Sequence, residues 1–140
     1  MRATFYLIDK PRFREQPLLL VCELAKKASD AGMATLVLAR DAAQAEQLDD
    51  LLWSFDPDAY VPHQIAGAED DEEEATVLIA APDLDVALRP LVINLRDAAV
   101  EGEFDRVLDV VPADESARAP SRERWKQYAA RGLEVSKHDM

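Results

Sequence analysis

The sequence predicts a single α/β domain built on a mostly parallel sheet with helices on both faces. Three observations carry this. Short, unbroken apolar runs recur along the 140 residues, as they do in strands buried on both sides. Segments of helical spacing separate the first of these runs, the order that builds βαβ units. No internal repeat and no linker long enough to divide two domains interrupts residues 1–140, and a chain of this length buries a sizeable core by itself.

Residues 3–8 (ATFYLI) form the first apolar, β-favouring run. Residues 10–16 are polar and irregular. Pro17 opens a helix, because the N–H it lacks would be unpaired in a first turn anyway. Leu18, Val21, Cys22, Ala25 and Ala28 then fall on one stripe, and Gly32 is placed to close the helix in a left-handed conformation. Residues 35–39 (TLVLA) are a second buried strand. Asp41 is placed to cap the next helix, in which Ala42, Ala45, Leu48, Leu52 and Trp53 recur at helical intervals.

Residues 54–67 (SFDPDAYVPHQIAG) carry two prolines and no helical period, and read as a structured loop or short extended pieces. The acidic run Glu69 to Glu74 predicts a solvated loop near 68–75, since like charges repel and resist packing. Residues 76–80 (TVLIA), 91–95 (LVINL) and 106–111 (RVLDVV) are further strands, with a short helical turn expected over 97–101. The pattern turns helical again from 121 to about 130, Gly132 closes that helix, and residues 133–136 suggest a last short strand before a short polar tail.

Sixteen Lys and Arg against 28 Asp and Glu leave a formal net charge of −12. Proteins that grip polyanionic DNA cluster cations on it, so strong direct DNA binding is not expected. The N-terminal apolar stretch is too short for a signal-peptide core and Asp9 interrupts it. No segment approaches the roughly 18 apolar residues of a membrane span. Cys22 is the single cysteine; its apolar helical context marks a packing thiol rather than a nucleophile. These features predict a cytoplasmic protein with no membrane partner.

A parallel sheet raises the question of nucleotide chemistry, which needs a glycine-rich first connection to let backbone approach phosphates. Here that connection, residues 9–16 (DKPRFREQ), has no glycine, and Gly32, Gly67, Gly102 and Gly132 are too far apart for such a motif. His63 and His138 lack ligand-spaced companions, so no metal or other cofactor is expected. No Gly-x-Ser-x-Gly elbow occurs. Asp9 ends the first strand, where α/β enzymes place carboxylates and ordinary caps also fall. A small-molecule or enzymatic reading would need polar groups converging near Asp9 or His63.

Two features rise above this background. Trp53 closes a helix just before a loop with Phe55, Tyr60, Val61, Pro62 and His63; aromatic clusters on loops anchor interfaces, or staple the loop to the core. The second is a reversal of charge. Between Arg118 and Lys137 six basic and two acidic residues give +4, so the rest of the chain carries −12 − 4 = −16. On a helix, Arg122, Trp125, Lys126 and Ala129 share a face. Two cations beside an aromatic suit an anionic peptide with an apolar side chain, and equally a short single strand of nucleic acid.

The segments ATFYLID, LVCELAKKASDAGMATLVLA, LDDLLWSFDPDAYVPHQIAG, RVLDVVP and RERWKQY, in this order, resemble the chi subunit family of bacterial DNA polymerase III. Trp53 followed by Tyr60-Val61-Pro62-His63 is the most specific part. The resemblance implies a Rossmann-like fold without nucleotide chemistry and a non-catalytic adaptor of the clamp loader. It implies two partners, the psi subunit and the acidic C-terminal tail of single-stranded-DNA-binding protein. Carried over, the tail-binding residues are Val111, Arg122, Trp125 and Lys126, with Trp125 where tyrosine is expected. The psi-facing residues are Trp53, Tyr60, Val61 and Pro62. Pro120 departs from the pattern and is expected to delay or kink the last helix.

Overall fold

A computed structural model describes residues 1–67 and 75–140; the acidic run Glu69 to Glu74 lies outside the described residues. Seven strands form one sheet: β1 (Arg2–Leu7), β2 (Thr35–Leu38), β3 (His63–Ile65), β4 (Val77–Ala80), β5 (Leu91–Asn94), β6 (Arg106–Val111) and β7 (Glu134–Asp139). Their spatial order is β3-β4-β2-β5-β6-β1-β7, and every pairing is parallel. The helices are α1 (Pro11–Glu15), α2 (Pro17–Asp30), α3 (Ala42–Ser54) and α4 (Arg118–Ala130).

Alternation along each strand divides the core into two layers. On one face Val37, Val77, Ile79, Ile93, Leu108 and Val110 pack under α2 and α3 through Leu20, Val21, Cys22, Leu48 and Leu52. On the other, Ala3, Phe5, Val92, Val107 and Val111 meet Tyr128 of α4, with Val100 and Phe104 from the connection before β6. Asp41 caps α3 by accepting from the Gln44 N–H at 2.7 Å. Gly32 ends α2 at φ +70°, which lets the Met33 N–H reach back to the Ala28 carbonyl at 2.9 Å.

Four local expectations change. Residues 11–15 are a short helix rather than irregular, started by Pro11 and pinned by buried Phe13. Residues 97–101 form no helical turn. Their backbone is engaged by side chains from elsewhere: the Ala98 carbonyl by Asn94, the Asp97 carbonyl by Arg124 and the Val100 N–H by the Tyr128 hydroxyl. Pro120 neither delays nor kinks α4, which begins at Arg118; Pro120 is the third helical residue, where no N–H is required. The polar C-terminal segment is strand β7, paired along the whole of β1, with His138 in it and its ring 5.6 Å from that of Tyr6.

A cation-lined groove at the carboxyl edge of the sheet

The carboxyl ends of β1, β6 and β7 and the first turns of α4 enclose a groove of about 720 Å³. This is the side of a parallel sheet on which ligands bind, because connections there diverge and leave a crevice. The floor is apolar. Phe5 and Leu7 of β1 and Val111 of β6 point into it, and the Trp125 ring of α4 rests 5.2 Å from that of Phe5. Trp125 is half-buried, so one side supports the floor and the other is open to a ligand.

The rim is positive. Arg118, Arg122 and Lys126 are four residues apart on α4, so one helix face carries three cations over about 12 Å. Lys137 of β7 faces the same groove. Its register partner is Phe5, which places it one strand spacing, about 4.8 Å, from the floor. Among the described residues, none of these four exposed cations has an ion-pair partner. Asp9 also lines the groove, but it is exposed and lies 3.4 Å from Arg14. No histidine or cysteine is among the lining residues.

Two basic residues counted from the sequence do not join this rim. Arg124 is buried and meets Asp109 of β6 at 2.9 Å. Arg131 donates to the Val100 and Gly102 carbonyls, at 2.6 and 2.8 Å. Asp109 also accepts from Asn94 at 3.1 Å and from the Tyr128 hydroxyl at 3.2 Å. Burial pushes the Asp109 carboxyl up, and Arg124, Asn94 and Tyr128 pull it back down. The network bolts α4 to β5 and β6, and so aims its cationic face. Reading the sequence for surface charge misses it. The signal present was a polar residue inside an otherwise apolar strand, Asn94 in LVINL and Asp109 in RVLDVV.

The aromatic cluster lies at the other end of the sheet, where α3 packs beside edge strand β3. Trp53 is 61% and Tyr60 72% exposed, their ring centroids 6.3 Å apart. Beneath them the His63 side chain is buried, with Nδ1 2.7 Å from the Val61 carbonyl and Nε2 3.1 Å from the Asp49 carbonyl. That is a local hydrogen-bonding role. Trp53 covers the His63 ring at 4.6 Å. Val61 turns inward at 2% exposure and belongs to the core; Pro62 is half-buried. The sequence-predicted residues thus separate into Trp53 and Tyr60, which present side chains, and Val61, which supports them from below.

Fold and groove together define a Rossmann-like α/β domain whose first connection, residues 9–16, carries no glycine. Its likeness to solved structures is of the fold alone. The C-terminal domain of the DEAD-box protein Dbp5 superposes with a TM-score of 0.65 at 12% identity, covering 99% of this chain and 90% of that one. T4 UvsW gives 0.62 at 11% identity, covering 99% of this chain and 41% of that one. Sequence comparison goes further. Residues 1–136 match the family model described as DNA polymerase III chi subunit, HolC. DNA polymerase III subunit chi of Escherichia coli is 34% identical, over 96% of this chain and 95% of its own length. That of Pseudomonas aeruginosa is 32% identical, over 98% and 95%. The chain belongs to the DNA polymerase III chi subunit family, and is a replication accessory subunit.

Proposed function

We propose that this chain is a non-catalytic adaptor of the replisome, working in the cytoplasm. In this reading the groove holds the acidic C-terminal tail of single-stranded-DNA-binding protein, and the Trp53–Tyr60 edge holds a psi-like subunit of the clamp loader. The observation that carries it is the set of four cations around an apolar floor that have no ion-pair partner among the described residues, on a protein of net charge −12. Unpaired cations of one sign in a crevice focus potential on an anionic ligand. The apolar floor adds a demand for a hydrophobic side chain beside the charge. A tail ending in an apolar residue and a free carboxylate meets both. Arg122 supplies a bidentate fork, Lys126 and Arg118 flank it, and Val111 and Trp125 wall the side chain.

The placement of the two surfaces suits an adaptor. β1, at the centre of the groove, is five strands from β3, roughly 24 Å at the usual strand spacing, so both partners fit at once. The test is titration of a tail peptide into wild type, Arg122→Ala and Lys126→Glu. Affinity on the order of micromolar is expected for so small a contact, with about 1–3 kcal/mol lost on charge reversal. Undiminished binding by Lys126→Glu at low salt would place the tail elsewhere.

A further inference from the structure

We propose that Lys137 forms a second, separately acting part of the groove, which reads acidic residues upstream of the ligand's terminal pair. This rests on the tail-binding reading above and assigns it a determinant outside α4. A terminal carboxylate and one apolar side chain are met by Arg122 and the Phe5–Val111–Trp125 floor. That leaves cations in excess. Of the four cations of the rim, Lys137 is the one contributed by a strand, β7, rather than by α4, and it sits beside Phe5 of the floor. It is exposed and without an ion-pair partner among the described residues.

Its surroundings give the charge a specific consequence. The other charged groove residues of β7 and the end of β1 are Asp139 and Asp9, with Asp9 paired to Arg14. Without Lys137 the strand side presents Asp139, which has no ion-pair partner among the described residues, and repels an acidic chain. With it, an extended segment leaving the floor passes between the α4 cations and Lys137. At about 3.3 Å per residue, the roughly 12 Å spanned by the α4 cations accommodates about four residues. The groove therefore selects a run of acidic residues, and the contribution of Lys137 grows with their number.

Two fluorescent peptides test this. One has six aspartates followed by isoleucine and a C-terminal phenylalanine with a free carboxylate; the other has serines in place of the aspartates. We expect Lys137→Ala to weaken the aspartate peptide about threefold and Lys137→Glu about tenfold at low salt, as for exposed charge pairs. The serine peptide, which lacks the acidic run, should lose clearly less affinity than the aspartate peptide in each variant, and the thermal midpoint should not move. If both variants bind the aspartate peptide like wild type while Lys126→Glu loses it, the Lys137 proposal falls and the tail reading stands. Equal loss of both peptides in Lys137→Glu also overturns it, since the effect would then lie at the terminus. Wild type that binds neither peptide overturns the proposal and the tail reading together. Lys137-dependent capture of an oligothymidylate instead of the peptides would mark a phosphate site and overturn it as well.

Discussion

The Arg124 guanidinium grips the Asp109 carboxylate with Nε 3.0 and 3.1 Å from its two oxygens, and both side chains are buried. Breaking a buried pair leaves one charge uncompensated in the core. Arg124→Met should therefore destabilise the fold by about 3–5 kcal/mol in urea unfolding. Arg122→Met, two residues away and exposed, should stay within about 0.5 kcal/mol of wild type. Similar losses from the two would contradict the division of α4 into a buried anchor and an exposed binding face.

Adjacent residues of the aromatic loop should also part company. Tyr60 is 72% exposed and Val61 2%. Tyr60→Ala should weaken capture of a psi-like partner and leave the thermal midpoint nearly unchanged. Val61→Ala should cost about 1–2 kcal/mol of stability by opening a small cavity under α3. A large stability loss from Tyr60→Ala would make that side chain a core staple instead.

The legible part of this protein was what apolar pattern controls. The runs ATFYLI, TLVLA, TVLIA, LVINL and RVLDVV all contain strands, and their unbroken burial carried the parallel sheet. What resisted reading depended on tertiary partners. The turn expected over 97–101 is absent because Asn94, Arg124 and Tyr128 engage that backbone. β7 is longer than its apolar content implied because an edge strand needs only one neighbour, and β1 supplies it. Val111, Arg122, Trp125 and Lys126, which the family resemblance implies as one patch, line one groove. Arg118 and Lys137 were visible in the sequence only as charge, since nothing in the spacing of a helix and a following strand says they share a crevice.

Cys22 offers a prediction in pH. Burial, with Glu23 adding to it, pushes the thiol from 9.0 up to about 12. Between those values the unfolded thiol ionises while the folded one keeps its proton, so unfolding releases protons and stability falls as pH rises. Tyr128 acts in the same direction above its ordinary 10.0, raised by burial and then by the charge of Asp109. Urea unfolding at pH 8, 9 and 10 should show falling stability, with a shallower decline in Cys22→Ala. The folded thiol should resist thiol reagents at pH 8 and react once denatured. Rapid labelling of the native protein would contradict its burial.

Trp125 provides a direct report on the groove. The chain has two tryptophans, and they lie at opposite ends of the sheet. In Trp53→Phe, emission comes from Trp125 alone. Its ring is half-buried against Phe5 with the remainder facing the groove. An acidic peptide whose terminal apolar side chain covers that open side removes water from the indole, so a blue shift that saturates with peptide is expected. Raising salt from about 0.05 to 0.3 M should move the midpoint to higher peptide concentration, because exposed charges are screened beyond roughly 10 Å at 0.1 M. The saturated emission should stay the same, since the floor contact is apolar. In Trp125→Phe, with Trp53 as the emitter, the peptide should leave emission unchanged. A shift from Trp53 and none from Trp125 would put the tail on the α3–β3 edge, and the two partner surfaces would exchange places.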